Sequence, residues 1–147
     1  MTATEVVNDF WQAYRDHDVE KMVDLTTERA TFRYVPFEVW LRQRVVRADE
    51  NVRTVGKTIW TTLIDCFPDL TNDVTWMTAD DEGHVAVEVN IGGTQAKHFG
   101  GIRNVGRRYD LPHVFLFHLD ESGKIDRIVS YWDTADWYQQ LGKIEVD

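Results

Sequence analysis

Cysteine is nearly missing from this chain of 147 residues: Cys66 stands alone. One thiol cannot close an intramolecular disulfide, so a covalent staple is excluded and a reducing, cytoplasmic setting is expected. Long apolar runs are missing as well. No stretch approaches the ~18 apolar residues of a membrane span, and the opening MTATEVVNDFW has no basic segment leading into an apolar one. Basic charge is in short supply, with 16 Lys and Arg against 25 Asp and Glu and a formal net charge of −9. A surface of that sign repels phosphate backbones and anionic lipid, so neither nucleic acid nor a membrane is expected as a partner. No linker, repeat or low-complexity tract divides the chain, and residues 1–147 read as one domain. A chain of this length can bury roughly 70% of its unfolded surface and needs no metal to hold it.

Aromatic residues, by contrast, are plentiful: Trp 6, Tyr 5 and Phe 7. They fit a core of large side chains, and some of them fit the wall of a cavity for an apolar ligand. The first half of the chain has helical periodicity. Thr2 and Glu5 have capping-box spacing, and Val6, Val7, Phe10, Trp11 and Tyr14 follow on one stripe. Asp16-His17-Asp18 breaks that helix, and Asp18 caps a short second one with Val19, Met22, Val23 and Leu25. A brief strand over Ala30–Tyr34 is stopped by Pro36. Residues 37–51 fit a short helix or a flap, with four arginines between Arg42 and Arg53. That run reads as a solvated, salt-bridged face, the alternative being a lid that brings Arg to an anionic substrate. A third helix runs from Val52 to Phe67, ended by Pro68.

The period then falls to two. Val74 and Trp76 alternate, as do Val85, Val87, Val89 and Ile91, and turn residues separate strands over Tyr109–Leu119 and Lys124–Trp132. Helices first and an antiparallel meander second make an α+β fold with helices on one sheet face.

No metal or nucleotide signature is present. The five histidines (17, 84, 98, 113, 118) form no ligand pair, and FGGIRNVG lacks the Gly-Lys-Ser/Thr ending of a phosphate loop. Asp133, directly after Tyr131-Trp132, is either the cap of a helix over Thr134–Leu141 or a buried acid of raised pKa. Glu88 interrupts VAVEVN and is either a second acid or a solvent-facing residue. His113 shares strand parity with Phe115 and Phe117, whereas His118 lies with Val114 and Leu116, so a regular strand sends only one of them into a pocket. His113, beside aromatic rings, is the better candidate to orient a carbonyl or pass a proton. Trp60, Tyr34 and Phe115 are the expected pocket walls.

Phe67-Pro68-Asp69-Leu70, Gly93-Thr94, Gly106-Arg107, Gly123-Lys124-Ile125, Trp132-Asp133 and Gln140-Leu141-Gly142 occur in that order over residues 67–142. In this the chain resembles SnoaL-like polyketide cyclases, and residues 4–34 resemble the opening helices of the wider nuclear transport factor 2-like superfamily. The resemblance implies a strongly bent antiparallel sheet wrapped around about three helices, a cone-shaped pocket for a hydrophobic small molecule, no cofactor, and a homodimer formed through a sheet face. It also implies that Asp133 is the acid-base group of an intramolecular aldol condensation. Gln95 stands where many relatives have His, and is expected with His118 among the substrate-facing positions. Phe10, Tyr34 and Phe115 occupy the ketosteroid isomerase positions, which argues against that chemistry. For an epoxide hydrolase, Asp133 and Glu88 can stand for the acids, but Ala86 falls near the Arg position. The alternatives to a cyclase are a non-catalytic binding or accessory protein and an epoxide-hydrolase-like enzyme.

Overall fold

The computed structural model describes residues 1–37 and 49–143, which form four α-helices and a curved, unclosed sheet of six strands. Helix α1 (Ala3–Arg15) starts where the capping box places it. The Glu5 N–H donates to Thr2 Oγ1 at 3.2 Å, and the Thr2 N–H donates to Glu5 Oε2 at 3.1 Å. Its apolar stripe is buried from Val6 to Tyr14. His17 turns the chain with φ 57 and donates from Nε2 to the Leu70 carbonyl. Asp18 then caps α2 (Val19–Asp24).

Strand β1 spans Thr26–Phe37, longer than the segment expected to end before Pro36. It pairs in parallel with β6 (Ile125–Asp133), and Pro36 itself lies opposite Trp132. Strand β2 (Glu50–Asn51) covers β1 only at Thr31 and Phe32. Among the described residues Pro36 therefore has a strand neighbour on one side only, the edge setting in which a sheet tolerates proline. A π-helical turn over Val52–Gly56 leads into α3 (Lys57–Cys66). Of the arginine-rich run, residues 38–48 lie outside the described residues. Arg53 is tied down, donating to the Thr26 and Thr27 carbonyls at 2.7 and 3.3 Å.

The remaining strands, β3 (Thr71–Ala79), β4 (His84–Thr94) and β5 (Arg108–Leu119), complete the order β2-β1-β6-β5-β4-β3, and α4 (Thr134–Gln140) closes the described chain. All neighbours run antiparallel except β1 and β6. A bulge between Val74 and Trp76 reverses the expected alternation: Val74 stays on the helix side, while Trp76 crosses to the outer face and is 56% exposed. The helices cover the inner face. Phe10, Trp11, Trp60 and Phe117 are fully buried there, with rings in edge-to-face contact at 5.3–5.9 Å.

Several residues that carry the family resemblance prove to be joints of this scaffold. Asp69 accepts from the Thr94 N–H at 2.6 Å and from Thr94 Oγ1 at 2.8 Å. A Cβ on Gly93 would come within 3.2 Å of Phe67. Gln140 bonds both the N–H and the carbonyl of Asp110.

Candidate ligand-binding cavity

Alternation along β5 sends Tyr109, Leu111, His113 and Phe115 to the inner face, and β6 adds Ser130 and Trp132 beside them. Phe32 and Tyr34 of β1, Ile59 and Leu63 of α3, Tyr14 of α1 and Trp137 of α4 close the remaining sides. The helices stand off this half of the sheet, leaving a cavity of about 340 Å³. Its wall is largely apolar and, among the described residues, includes no Lys or Arg.

His113 is the one imidazole on that wall. Its Nδ1 lies 2.9 Å from the Leu111 carbonyl, which can only accept, so Nδ1 carries the proton and Nε2 keeps its lone pair. Burial pushes its pKa down to about 4, with the Leu111 bond opposing the shift. The ring stacks on Trp132 at 5.5 Å. Tyr34 is held up to about 12 by burial, although the Trp60 indole N–H, donated to its hydroxyl at 2.6 Å, acts the other way. Burial also raises Tyr14 and Tyr109. All three phenols therefore stay protonated at neutral pH. Ser130 Oγ and Trp137 Nε1 are buried with no hydrogen-bond partner among the described residues.

Of the expected site residues, the structure brings His113, Tyr34 and Phe115 together on this wall. Trp60 stands behind Tyr34 as its hydrogen-bond donor. The other positions lie elsewhere. Asp133 is exposed and caps α4, accepting the Asp136 N–H at 3.1 Å; it follows a cavity-lining residue and does not itself line the cavity. Of the two readings of Asp133, its geometry is that of the helix cap. Glu88 is exposed on the outer sheet face, because strand parity sets it opposite to Val87 and Val89. His118 faces outward too, its Nδ1 2.6 Å from Asp126. Gln95 is buried under the 96–102 loop, donating to the carbonyls of Lys97 and Ile102, and is not on the cavity wall.

Sequence reasoning does not find Glu50, Tyr14, Tyr109, Ser130 and Trp137. Glu50 is the only carboxylate on the wall among the described residues, and it pairs with Phe32, two side-chain rows along the sheet from the row of His113. Among the described residues, Asp80, Glu82 and His84 bring three potential metal ligands within 4.8 Å at the exposed β3–β4 turn. Asp80 there already accepts from the Glu82 and His84 N–H groups and bonds His84 Nδ1, the ordinary bonds of a tight turn.

No curated protein sequence matches the chain. Its fold is close to that of AclR from Streptomyces galilaeus, a candidate hydroxylase (TM-score 0.80, 14% identity, 98% of this chain and 87% of that one). It is similarly close to IdmH from Streptomyces antibioticus, a candidate polyketide cyclase (TM-score 0.79, 18% identity, 97% and 99%). SalBIII, an epoxide hydrolase/cyclase-like enzyme of pyran ring formation in the polyether salinomycin, follows (TM-score 0.68, 21% identity, 91% and 92%). At such identities the likeness is one of fold. The family model for the SnoaL-like domain, however, matches residues 7–128, most of the chain, and the protein belongs to that family.

Proposed function

We propose that the cavity takes a neutral, largely apolar carbonyl compound and rearranges it by proton transfer, as a cyclase or isomerase does. His113 carries this reading: a neutral imidazole whose Nε2 has no partner among the described residues, on a largely apolar wall. Nε2 takes a proton from the carbon beside the carbonyl, and the electron pair moves onto oxygen as an enolate. The enolate carbon then attacks a second carbonyl of the same molecule, and the imidazolium returns the proton to the new alkoxide. Return to a different carbon gives an isomer instead. A base near pKa 4 is weak, yet a carboxylate of similar strength serves in ketosteroid isomerisation. The largely apolar wall favours such a step by limiting the water that could compete for the proton. The cyclase relatives support the same reading.

Proton exchange tests it without knowledge of the natural substrate. Aryl ketones incubated in deuterium oxide should exchange their α-protons faster with the protein, and His113→Asn should remove the acceleration. Binding of the ketones without any exchange would leave a non-catalytic binding or accessory role. Asp133 is kept as a candidate second acid because the family resemblance implies that role, although its carboxylate caps α4 outside the cavity lining. The homodimer implied by the family resemblance would use the outer sheet face, where Trp76, Val114 and Leu116 are 56%, 42% and 42% exposed. A cytoplasmic location fits the lone Cys66.

A further inference from the structure

Trp60 is fully buried, and its indole nitrogen can only donate. The 2.6 Å bond from that nitrogen makes the Tyr34 oxygen an acceptor, so the phenolic hydrogen is left to point elsewhere. Among the described residues no acceptor takes it. Tyr34 cannot readily swing away: Phe32, Trp132 and Phe115 stand edge-on around its ring at 5.0, 5.2 and 6.3 Å. In the parallel β1–β6 register Ser130 lies opposite Tyr34, and its buried hydroxyl has no partner among the described residues. The Trp137 N–H is in the same condition on the same cavity. Buried polar groups without partners are costly, and a ligand oxygen is the group that would satisfy such donors. Among the described residues no cation lines the wall and Glu50 adds a carboxylate to it, so against these residues an entering carboxylate would be desolvated without compensation.

We infer that Tyr34 is the donor that receives the ligand's carbonyl oxygen, that Trp60 sets its direction, and that the pair selects neutral carbonyl compounds over carboxylates. The inference rests on the reading of the cavity as a carbonyl site. Tyr34 is the residue that touches the ligand; Trp60 is a positioning residue that acts through it. A donor fixed before the ligand arrives stabilises the enolate oxygen without reorganisation.

The test uses the full chain and three probes of one shape: 2-acetonaphthone, 2-ethylnaphthalene and 2-naphthoate. Binding is measured by calorimetry, and the stretch of the bound, isotope-labelled carbonyl by difference infrared spectroscopy. Wild type should bind the first two and reject the naphthoate. Tyr34→Phe should move the carbonyl stretch to higher wavenumber and weaken acetonaphthone roughly tenfold, with ethylnaphthalene unchanged. Trp60→Phe, which keeps the Tyr34 hydroxyl but not its direction, should shift the stretch part of the way. An identical stretch in wild type and Tyr34→Phe overturns the inference, as does equal loss of both neutral probes. If Tyr34→Phe does not fold, Trp60→Phe decides alone, and a stretch like wild type's is the overturning result. Naphthoate bound as tightly as the ketone removes the selectivity. Failure of wild type to bind either neutral probe overturns the cavity reading and the inference with it.

Discussion

His113 links stability and chemistry in one side chain. Burial holds its pKa at about 4 in the folded chain against an ordinary value of 6.5. As pH falls, the unfolded chain takes up this proton first. The stability tied to the neutral ring is therefore complete above 6.5 and is lost as pH falls from there through about 4, amounting to about 3 kcal/mol. His113→Asn retains a donor for Leu111 but cannot titrate. Urea unfolding between pH 7 and 4 should show a shallower decline for the variant than for wild type, and equal slopes would mean that the imidazole is not buried. Strand parity alone makes His113 and Phe115 legible as inward-facing residues. Tyr14, Tyr109 and Trp137 are not legible as cavity residues, because a buried aromatic has the same sequence pattern whether it meets another ring or an opening.

Secondary-structure elements account for the residues whose roles differ from expectation. In the sequence Asp133 reads as either cap or acid, and the helix start at Thr134 gives its carboxylate a backbone partner. Asparagine caps as well as aspartate, so Asp133→Asn should leave stability nearly unchanged while Asp133→Ala loses about 1 kcal/mol. If exchange activity follows stability across this pair, Asp133 acts as a cap; loss of activity in the Asn variant despite unchanged stability would establish the acid. Thr2→Ala should likewise lower stability by about 1 kcal/mol in thermal unfolding, since it removes one half of the capping box. The caps are readable because they depend on neighbours within one turn. The bulge at Val74–Trp76 and the extension of β1 past Pro36 are not, because each depends on which strand lies alongside.

Over the whole molecule, the two sheet faces divide the work. The inner face meets the helices and forms the cavity, while the outer face leaves Trp76, Val114 and Leu116 to solvent. If copies of the chain pair through that face, Leu116→Asp should halve the sedimenting mass and leave the circular dichroism spectrum intact. A wild-type chain that sediments as a monomer at micromolar concentration would remove the dimer. No helix among the described residues is long and apolar enough to cross a membrane.

Periodicity, caps and turns make the α+β class, the helix order and the meander visible in the residues, because these are set by forces acting over a few positions. The chain's membership of its family is visible too, since the joints at Asp69–Thr94, Gly93 and Gln140 must be made from particular side chains. The cavity is decided only by tertiary structure. The parallel pairing of β1 with β6 sets Tyr34 across from Ser130, the packing of α3 puts Trp60 behind it, and the curvature of the sheet turns His113 toward the same space. Those three contacts span roughly a hundred residues of chain, a separation over which no local pattern carries information.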